Sequence, residues 1–316
     1  MVSTPNRPGS SLKTILKRML EGAATVWAAV TITFFALRIA GGDPTSSLLA
    51  QGLVSNTQAE ELRTSLGLDA PLFIQYLEYL RDILRGDFGL SLFTRQSVVD
   101  VIFQQLPSTL ELAITGLIIA ILLGVALGVA AVWKKRTPIG SSSESISSLA
   151  TALPVAFTGI LALLFAQWLN HTINVNLSAI DILLPALVLG IASAGPIAKV
   201  AHGSLEESIS SPYIMAARAR GVRRDRRLLW HALRPALPTI ITLIALEAAF
   251  LFAGTVVTET VFSRPGLGRL LIQSILQSDY PVAQGIVILA ATFYTVSHIF
   301  ADLIAWKLDP RLWENG

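Results

Sequence analysis

Residues 108–133, STLELAITGLIIAILLGVALGVAAVW, hold a single charged side chain, Glu111, in 26 positions. A helix needs about 20 mostly apolar residues to cross the hydrocarbon core of a bilayer, and this stretch supplies them from Leu112 to Trp133 with no proline or charge. Five further stretches have the same character: 19–40, 149–169, 182–200, 238–262 and 283–306. The stretch 182–200, fourth of the six along the chain, is the least uniform, because Gly190, Gly195 and Pro196 interrupt it; such breaks are tolerated where neighbouring helices satisfy the freed backbone groups. The whole chain is 53% hydrophobic and 14% charged, against about a quarter charged in soluble domains. The fold class that follows is an all-α integral membrane protein with six transmembrane helices. The absence of cysteine excludes disulfides, cysteine-ligated zinc, iron–sulfur clusters and thiol catalysis.

Basic residues beside the spans set their orientation. With the N-terminus in the cytosol, the inner segments carry Arg7, Lys13, Lys17, Arg18, Lys134, Lys135, Arg136, Lys199, Lys307 and Arg311, together with seven arginines between 213 and 238. The count is 17 basic residues inside against Arg264 and Arg269 in the short outer loops. Both termini are therefore expected in the cytosol. The first apolar run is too long for a signal-peptide core and reads as a retained span.

This orientation divides the chain into a cytosolic segment 1–18, a first span 19–40, an extracytoplasmic helical region 41–107 and a core 108–316. The outer region reads as a small cap of amphipathic helices. Thr57 and Glu60 have capping-box spacing, with Gly67 as a stop. Phe73, Tyr76, Leu77, Leu80 and Leu84 form an apolar stripe at helical spacing, ended by Gly86. No internal repeat is visible.

The densest charge lies in residues 213–238, YIMAARARGVRRDRRLLWHALRPALP, within an inner loop that spans 201–237. Ser211 followed by Pro212 is a helix-start signal, and Gly221 can supply the left-handed residue that ends a helix. A second short helix is expected near RDRRLLWHAL, with Pro235 and Pro238 at the approach to the fifth span. Ala216, Ala217 and Ala219 give the first helix a small-residue face that permits close approach, the form of helix-in-groove docking. The plain alternative is a positive-inside loop that binds lipid headgroups.

The pattern AA-R-A-x-G followed by HALRPALP resembles the cytoplasmic loop of binding-protein-dependent ABC importer permeases. Ala216, Ala217 and Gly221 match it, and Met215 stands where that pattern has glutamate. FFALRIAGGDP (34–44), RGDFGLS (85–91), TETVFSRPGLGRLL (258–271), DYPVAQG (279–285) and the terminal DLIAWKLDPR resemble the dipeptide/oligopeptide/nickel group of these permeases. The resemblance implies that Tyr213, Met215, Ala216, Ala217, Arg218, Ala219 and Gly221 form a coupling helix, 212–220, that docks on an ATP-hydrolysing subunit. It also implies a second permease (a paralogue), two ATPases and an extracytoplasmic binding protein as partners, in a bacterial or archaeal plasma membrane. ATP and magnesium would be used by the ATPases. This chain has no G-x-x-x-x-G-K-[ST] phosphate loop and calls for no cofactor, catalytic residue or nucleic acid. The expected cargo is peptide, with a nickel chelate or another small polar solute as the alternative. A stand-alone secondary transporter would show inverted repeats, and a membrane enzyme would need a converging polar cluster.

Ionisable groups inside spans are functional candidates. Glu247 and His298 lie about 15 Å and 13 Å from the inner ends of their spans. Both are expected to face the protein interior, where their similar depth would let them meet; the plain alternative is a buried structural hydrogen bond. Glu259, Pro265 and Gly266 fall at the outer mouth, where a gate or a rigid hairpin would serve equally. Glu111 is placed to reach water, and Asp302 with Lys307 to anchor the last span. His171, His202, His231 and His298 show no paired ligand spacing, so no metal site is assigned. Gly124 and Gly128 form a small-xxx-small pair, for packing within the subunit or against the partner.

Overall fold

The computed structural model describes residues 8–133, 137–173 and 182–308. Arg7, Lys134, Lys135, Arg136 and Arg311, most of the outer loop 170–181 and the end of DLIAWKLDPR lie outside the described residues. The helices in chain order are α1 (Pro8–Gly41), α2 (Pro44–Ala50), α3 (Asn56–Ser65), α4 (Leu72–Leu84), α5 (Val98–Trp133), α6 (Pro138–Ala152), α7 (Val155–Ile173), α8 (Leu183–Ile209), α9 (Pro212–Ala219), α10 (Arg224–Arg226), α11 (Leu233–Val261), α12 (Leu267–Leu276) and α13 (Tyr280–Leu308). Six are long and apolar enough to cross a membrane. Among the described residues the only β-pairing is an isolated bridge between Leu90 and Ser97.

At the centre, α5 lies along α8, with α6 and α11 against the same pair; α13 packs on α11, and α1 packs on α13. Apolar side chains gain little by meeting one another in lipid, so close backbone approach and hydrogen bonds must hold helices together. The α5–α8 contact is built that way. A Cβ added at Gly128 would stand 2.6 Å from the Ala201 methyl and 2.8 Å from the Ala198 carbonyl oxygen; one at Gly124 would stand 2.7 Å from Ile197 and 2.9 Å from the Ala194 carbonyl oxygen. Neither carbonyl can move without bending α8. The small-xxx-small pair therefore packs within this subunit. Gly190 likewise faces Ile119 and the Gly116 carbonyl, so the fourth span is not interrupted: Gly190, Gly195 and Pro196 lie in one continuous helix.

Several boundaries differ from the sequence reading. The second span continues through Pro107 to Val98, giving 36 residues and a length of about 54 Å, well beyond the hydrocarbon thickness. The third span starts at Val155, because Leu153 and Pro154 separate it from α6; proline disfavours helix in the residue before it. The second short helix of the arginine loop is not separate. Helical backbone runs from Arg224 through a π-helical stretch, Arg227–Ala232, into α11.

The cap comprises α2, α3 and α4. The capping box on α3 is Ser55 with Gln58, not Thr57 with Glu60: the Gln58 amide donates to Ser55 Oγ (3.3 Å) and the Ser55 amide donates to Gln58 Oε1 (2.9 Å). On α4 the apolar stripe splits. Tyr76 is buried and Leu80 half-buried, whereas Phe73, Leu77 and Leu84 are exposed. The buried face meets α1, where Phe34, fully buried, packs among the rings of Phe35, Tyr76 and Tyr79, and the hydroxyls of Thr31 and Tyr76 are 2.7 Å apart. At the foot of the cap, Asp279 accepts bonds from Ser91 Oγ (2.6 Å) and the Leu92 amide (3.1 Å), and Tyr280 Oη donates to the Gly42 carbonyl (3.1 Å).

The α5–α8 contact predicts that Gly128→Leu destabilises the chain by at least 1–3 kcal/mol, the usual range for overpacking. Gly203→Ala, where an added Cβ meets nothing within 4 Å, should keep or raise stability, by up to about 1 kcal/mol. Thermal unfolding of both variants in detergent checks this.

Candidate functional site

The coupling-loop end is built around one anchored short helix. Ser211 has the extended backbone of an N-cap (φ −72°, ψ 149°) and Pro212 opens α9. Gly221 has φ +76°, the left-handed conformation that lets the chain turn after the helix. Ile214, 4% exposed, inserts into a cluster with Val132 of α5, Ala201 and Leu205 of α8, Leu228 and Ala232 of the π-helical stretch and Ala236 and Ile240 of α11. Displacing α9 therefore disturbs three spans at once, because close-packed interiors transmit strain. Tyr213 Oη donates to the His231 carbonyl (3.2 Å), and Arg224 donates to the Trp133 carbonyl at the end of α5.

The remaining face of α9 points away from the protein. Tyr213, Met215, Ala216, Arg218 and Ala219 are exposed, as is Gly221; Ala217 is half-buried. Leu229 and Trp230 are exposed beside them, Trp230 by 68%. Sequence reasoning passed over this pair, although an unpaired tryptophan in a basic loop was a usable signal. Of the seven arginines only Arg227 is half-buried; the other six are exposed. Asp225 lies 3.8 Å from Arg223, and Glu206 shares a cavity with Arg218, Arg224 and Arg227; the rest of this surface presents cationic and aromatic groups. Such composition marks interface cores, where tyrosine, tryptophan and arginine carry most of the binding energy.

At the opposite end, Glu259 organises the turn between α11 and α12. It is fully buried. One carboxylate oxygen accepts from Thr109 Oγ1 of α5 (2.7 Å); the other accepts from the amides of Gly268 (2.7 Å) and Arg269 (3.2 Å) at the start of α12. Thr109 Oγ1 in turn accepts from the Leu267 amide (2.8 Å). A carboxylate at a helix N-terminus satisfies otherwise unpaired amides and complements the helix dipole. Gly266 presses against the same carboxyl, where any Cβ would overlap it. Ser108 Oγ donates to the Pro265 carbonyl (2.6 Å), and Glu111 pairs with Arg264 (2.7 Å). Glu259, Pro265 and Gly266 thus belong to one hydrogen-bonded hairpin joined to α5. The partner residue, Thr109, was not foreseen.

Glu247 and His298 do not meet. Glu247 faces Ser193 on α8. The His298 ring nitrogen lies 3.0 Å from Tyr294 Oη on its own helix, and His298 lines a cavity of about 230 Å³ facing α1 with Arg18, Glu21 and Asp302. Equal depth left the helix rotation undetermined, and rotation separates them. Asp302 pairs with Arg18 (3.2 Å) instead of Lys307. His202 lies 3.2 Å from Glu206. Among the described residues no group of three or more His, Cys, Asp or Glu side chains is arranged to hold a metal ion.

Glu259→Gln exchanges one acceptor oxygen for a donor facing amides or the Thr109 hydroxyl. It should destabilise the chain by about 1–3 kcal/mol, the cost of a buried unsatisfied group, read as a lowered thermal midpoint in detergent. An unchanged midpoint contradicts the hairpin's dependence on this carboxylate.

Residues 120–314 match the binding-protein-dependent transport system inner membrane component family, and residues 11–113 match the N-terminal region of binding-protein-dependent transport system membrane components. The chain is 31% identical over 308 residues to the probable peptide ABC transporter permease protein y4tP of Sinorhizobium fredii, covering 94% of this chain and 98% of that one. It is 33% identical over 305 residues to the glutathione transport system permease protein GsiC of Escherichia coli K12, covering 95% and 99%. A chain of the MetNI methionine ABC transporter in an inward-facing conformation superposes with a TM-score of 0.55 at 17% identity, over 67% of this chain and 97% of that one; this likeness concerns the fold alone. Six apolar spans, an anchored short helix at one end and a full-length match to permeases lead to one assignment: the chain belongs to the binding-protein-dependent transport system inner membrane component family, the multi-pass permease subunits of ABC importers.

Proposed function

We propose that this permease imports short peptides, working with a second, paralogous permease, two ATPase subunits and an extracytoplasmic binding protein. The names of the peptide and glutathione permeases it resembles support the cargo class. The observation that carries the coupling role is Ile214: its side chain locks α9 to the ends of α5, α8 and α11, while Tyr213 and Met215 project outward. In this reading α9 docks in a groove on an ATPase, and ATP-driven closure of the ATPases shifts α9 and tilts the spans joined to it. The pathway between the two permeases then opens alternately to either side. The chain itself performs no covalent chemistry; ATP and magnesium act in the ATPases.

The orientation belongs to the same proposal: segment 1–18 and the loop 201–237 in the cytosol, the region 41–107 outside, and 108–316 as the permease core. The cysteine-free sequence offers a direct check. Arg220→Cys should react with a membrane-impermeant thiol reagent only when the cytosolic face is open to it. Leu84→Cys, at an 87% exposed position on the cap, should react from outside in intact cells. The reverse pattern overturns the orientation.

Coupling is tested on the assembled transporter. Deleting residues 212–220 should abolish uptake and cargo-stimulated ATP hydrolysis while membrane insertion persists. The double substitution Tyr213→Ala, Met215→Ala, at exposed positions, should weaken ATPase association by about 2 kcal/mol or more, roughly 30-fold, if these are interface anchors. Full association and uptake in both variants would place the ATPase contact elsewhere.

A further inference from the structure

Three stretches far apart in the sequence, FFALRIAGGDP, RGDFGLS and DYPVAQG, converge at the junction of the cap with α1 and α13. Between them lies a cavity of about 210 Å³. Three of its lining residues carry buried polar atoms without partners. Arg38 Nη1, Tyr79 Oη and Gln284 Nε2 are all buried, and none has a hydrogen-bond partner. Gln284 is only 4% exposed. Buried polar groups are almost always paired, and each orphan is costly, so three around one cavity call for a common explanation.

The rest of Arg38 is held firmly. Its Nε donates to Gln75 Oε1 (2.9 Å), and its guanidinium lies over the Phe34 ring at 3.9 Å. Gln75 is itself fixed by donating to the Leu68 and Ala70 carbonyls (3.2 and 2.8 Å). Among the described residues no carboxylate forms an ion pair with Arg38. Burial, opposed by the nearby Arg38 charge, raises the Tyr79 phenol above its ordinary range, so it remains a donor at neutral pH. The lining is also acidic: Glu78 and Asp82, four residues apart on α4, and Asp87 just beyond it line the same cavity and are exposed. The donors are thus its buried part and the carboxylates its exposed rim.

We propose that this cavity is a binding site, on the permease itself, for a small zwitterion of one or two amino-acid residues. The ligand carboxylate would pair with Arg38, Gln284 and Tyr79, and its ammonium group with Asp82 and Glu78. A guanidinium and an amide side by side suit a carboxylate because each offers directed N–H donors. The volume lies below the 300–1,000 Å³ of ordinary drug-sized sites, which restricts the occupant to something this small. The proposal is independent of the coupling role of α9, and its failure leaves the permease assignment untouched.

Isothermal titration of the full chain in lipid nanodiscs tests it, using L-alanyl-L-alanine, its N-acetyl derivative and its C-terminal amide. The dipeptide should bind saturably at one site, and either blocked form should bind at least tenfold more weakly. Arg38→Gln and Gln284→Leu should each weaken dipeptide binding more than tenfold. Asp82→Asn, on the exposed rim where folding is not at stake, should weaken the dipeptide but leave the N-acetyl form unchanged. A cavity that holds only water gives no saturable heat with the wild-type chain. That result overturns the proposal, as does equal binding of all three compounds or wild-type affinity in the Asp82 variant.

Discussion

The close approach of α5 to α8 is the constraint on which the rest of the molecule depends. In lipid, leucine against leucine gains little over leucine against an acyl chain. What holds the pair is backbone proximity at Gly124 and Gly128, facing Ala194, Ile197, Ala198 and Ala201. The two functional ends attach to this pair. Thr109 of α5 holds the Glu259 hairpin at the cap side, and Val132 of α5, with Ala201 and Leu205 of α8, holds Ile214 at the coupling-loop side. From Thr109 to Val132 the helix rises about 35 Å, so one stiff element joins the two faces of the membrane.

The two ends solve different physical problems. At the 201–237 loop a single buried isoleucine anchors α9, and most of the arginines and the aromatics are left facing outward, as the proposed docking on an ATPase requires. At the cap side the backbone leaves the helix and turns where water is scarce, so a buried carboxylate and a threonine hydroxyl satisfy the turn's amides. The cap is joined by the aromatic packing of Phe34 with Tyr76 and Tyr79, and at its foot by the Asp279 carboxylate and the Tyr280 hydroxyl, which bind segments about 190 and 240 residues away. Motifs that look unrelated along the chain, RGDFGLS and DYPVAQG, meet there through Ser91 and Asp279.

Much of this was legible in the residues. Runs of apolar residues located all six spans, and Ser211, Pro212 and Gly221 bounded α9 because capping and left-handed turns are local effects. The limits were of two kinds. Hydropathy marks where a helix is oily but not where it ends, so the extension of α5 through Pro107 and the continuity of α10 with α11 were missed. Depth along a helix also says nothing about rotation around its axis, which turned His298 toward α1 and Glu247 toward Ser193. The partners of Glu259 and Asp279 were invisible for a related reason: a side chain's type announces that it needs a partner, and only the packed structure shows which distant segment provides one.

The central claim is that α9 and the cap-side hairpin move as parts of one stiff body. Its most direct test is the distance between spin labels at Arg220→Cys, at the end of α9, and Leu276→Cys on α12, measured in the assembled transporter without nucleotide and with ATP bound. Both sites are exposed, and the chain has no native cysteine. The account predicts the same distance distribution in both states, even as the distance from Leu276 to the partner permease changes. A distribution that shifts within this chain on ATP binding would show that α5 and α8 bend or slide, and would contradict it.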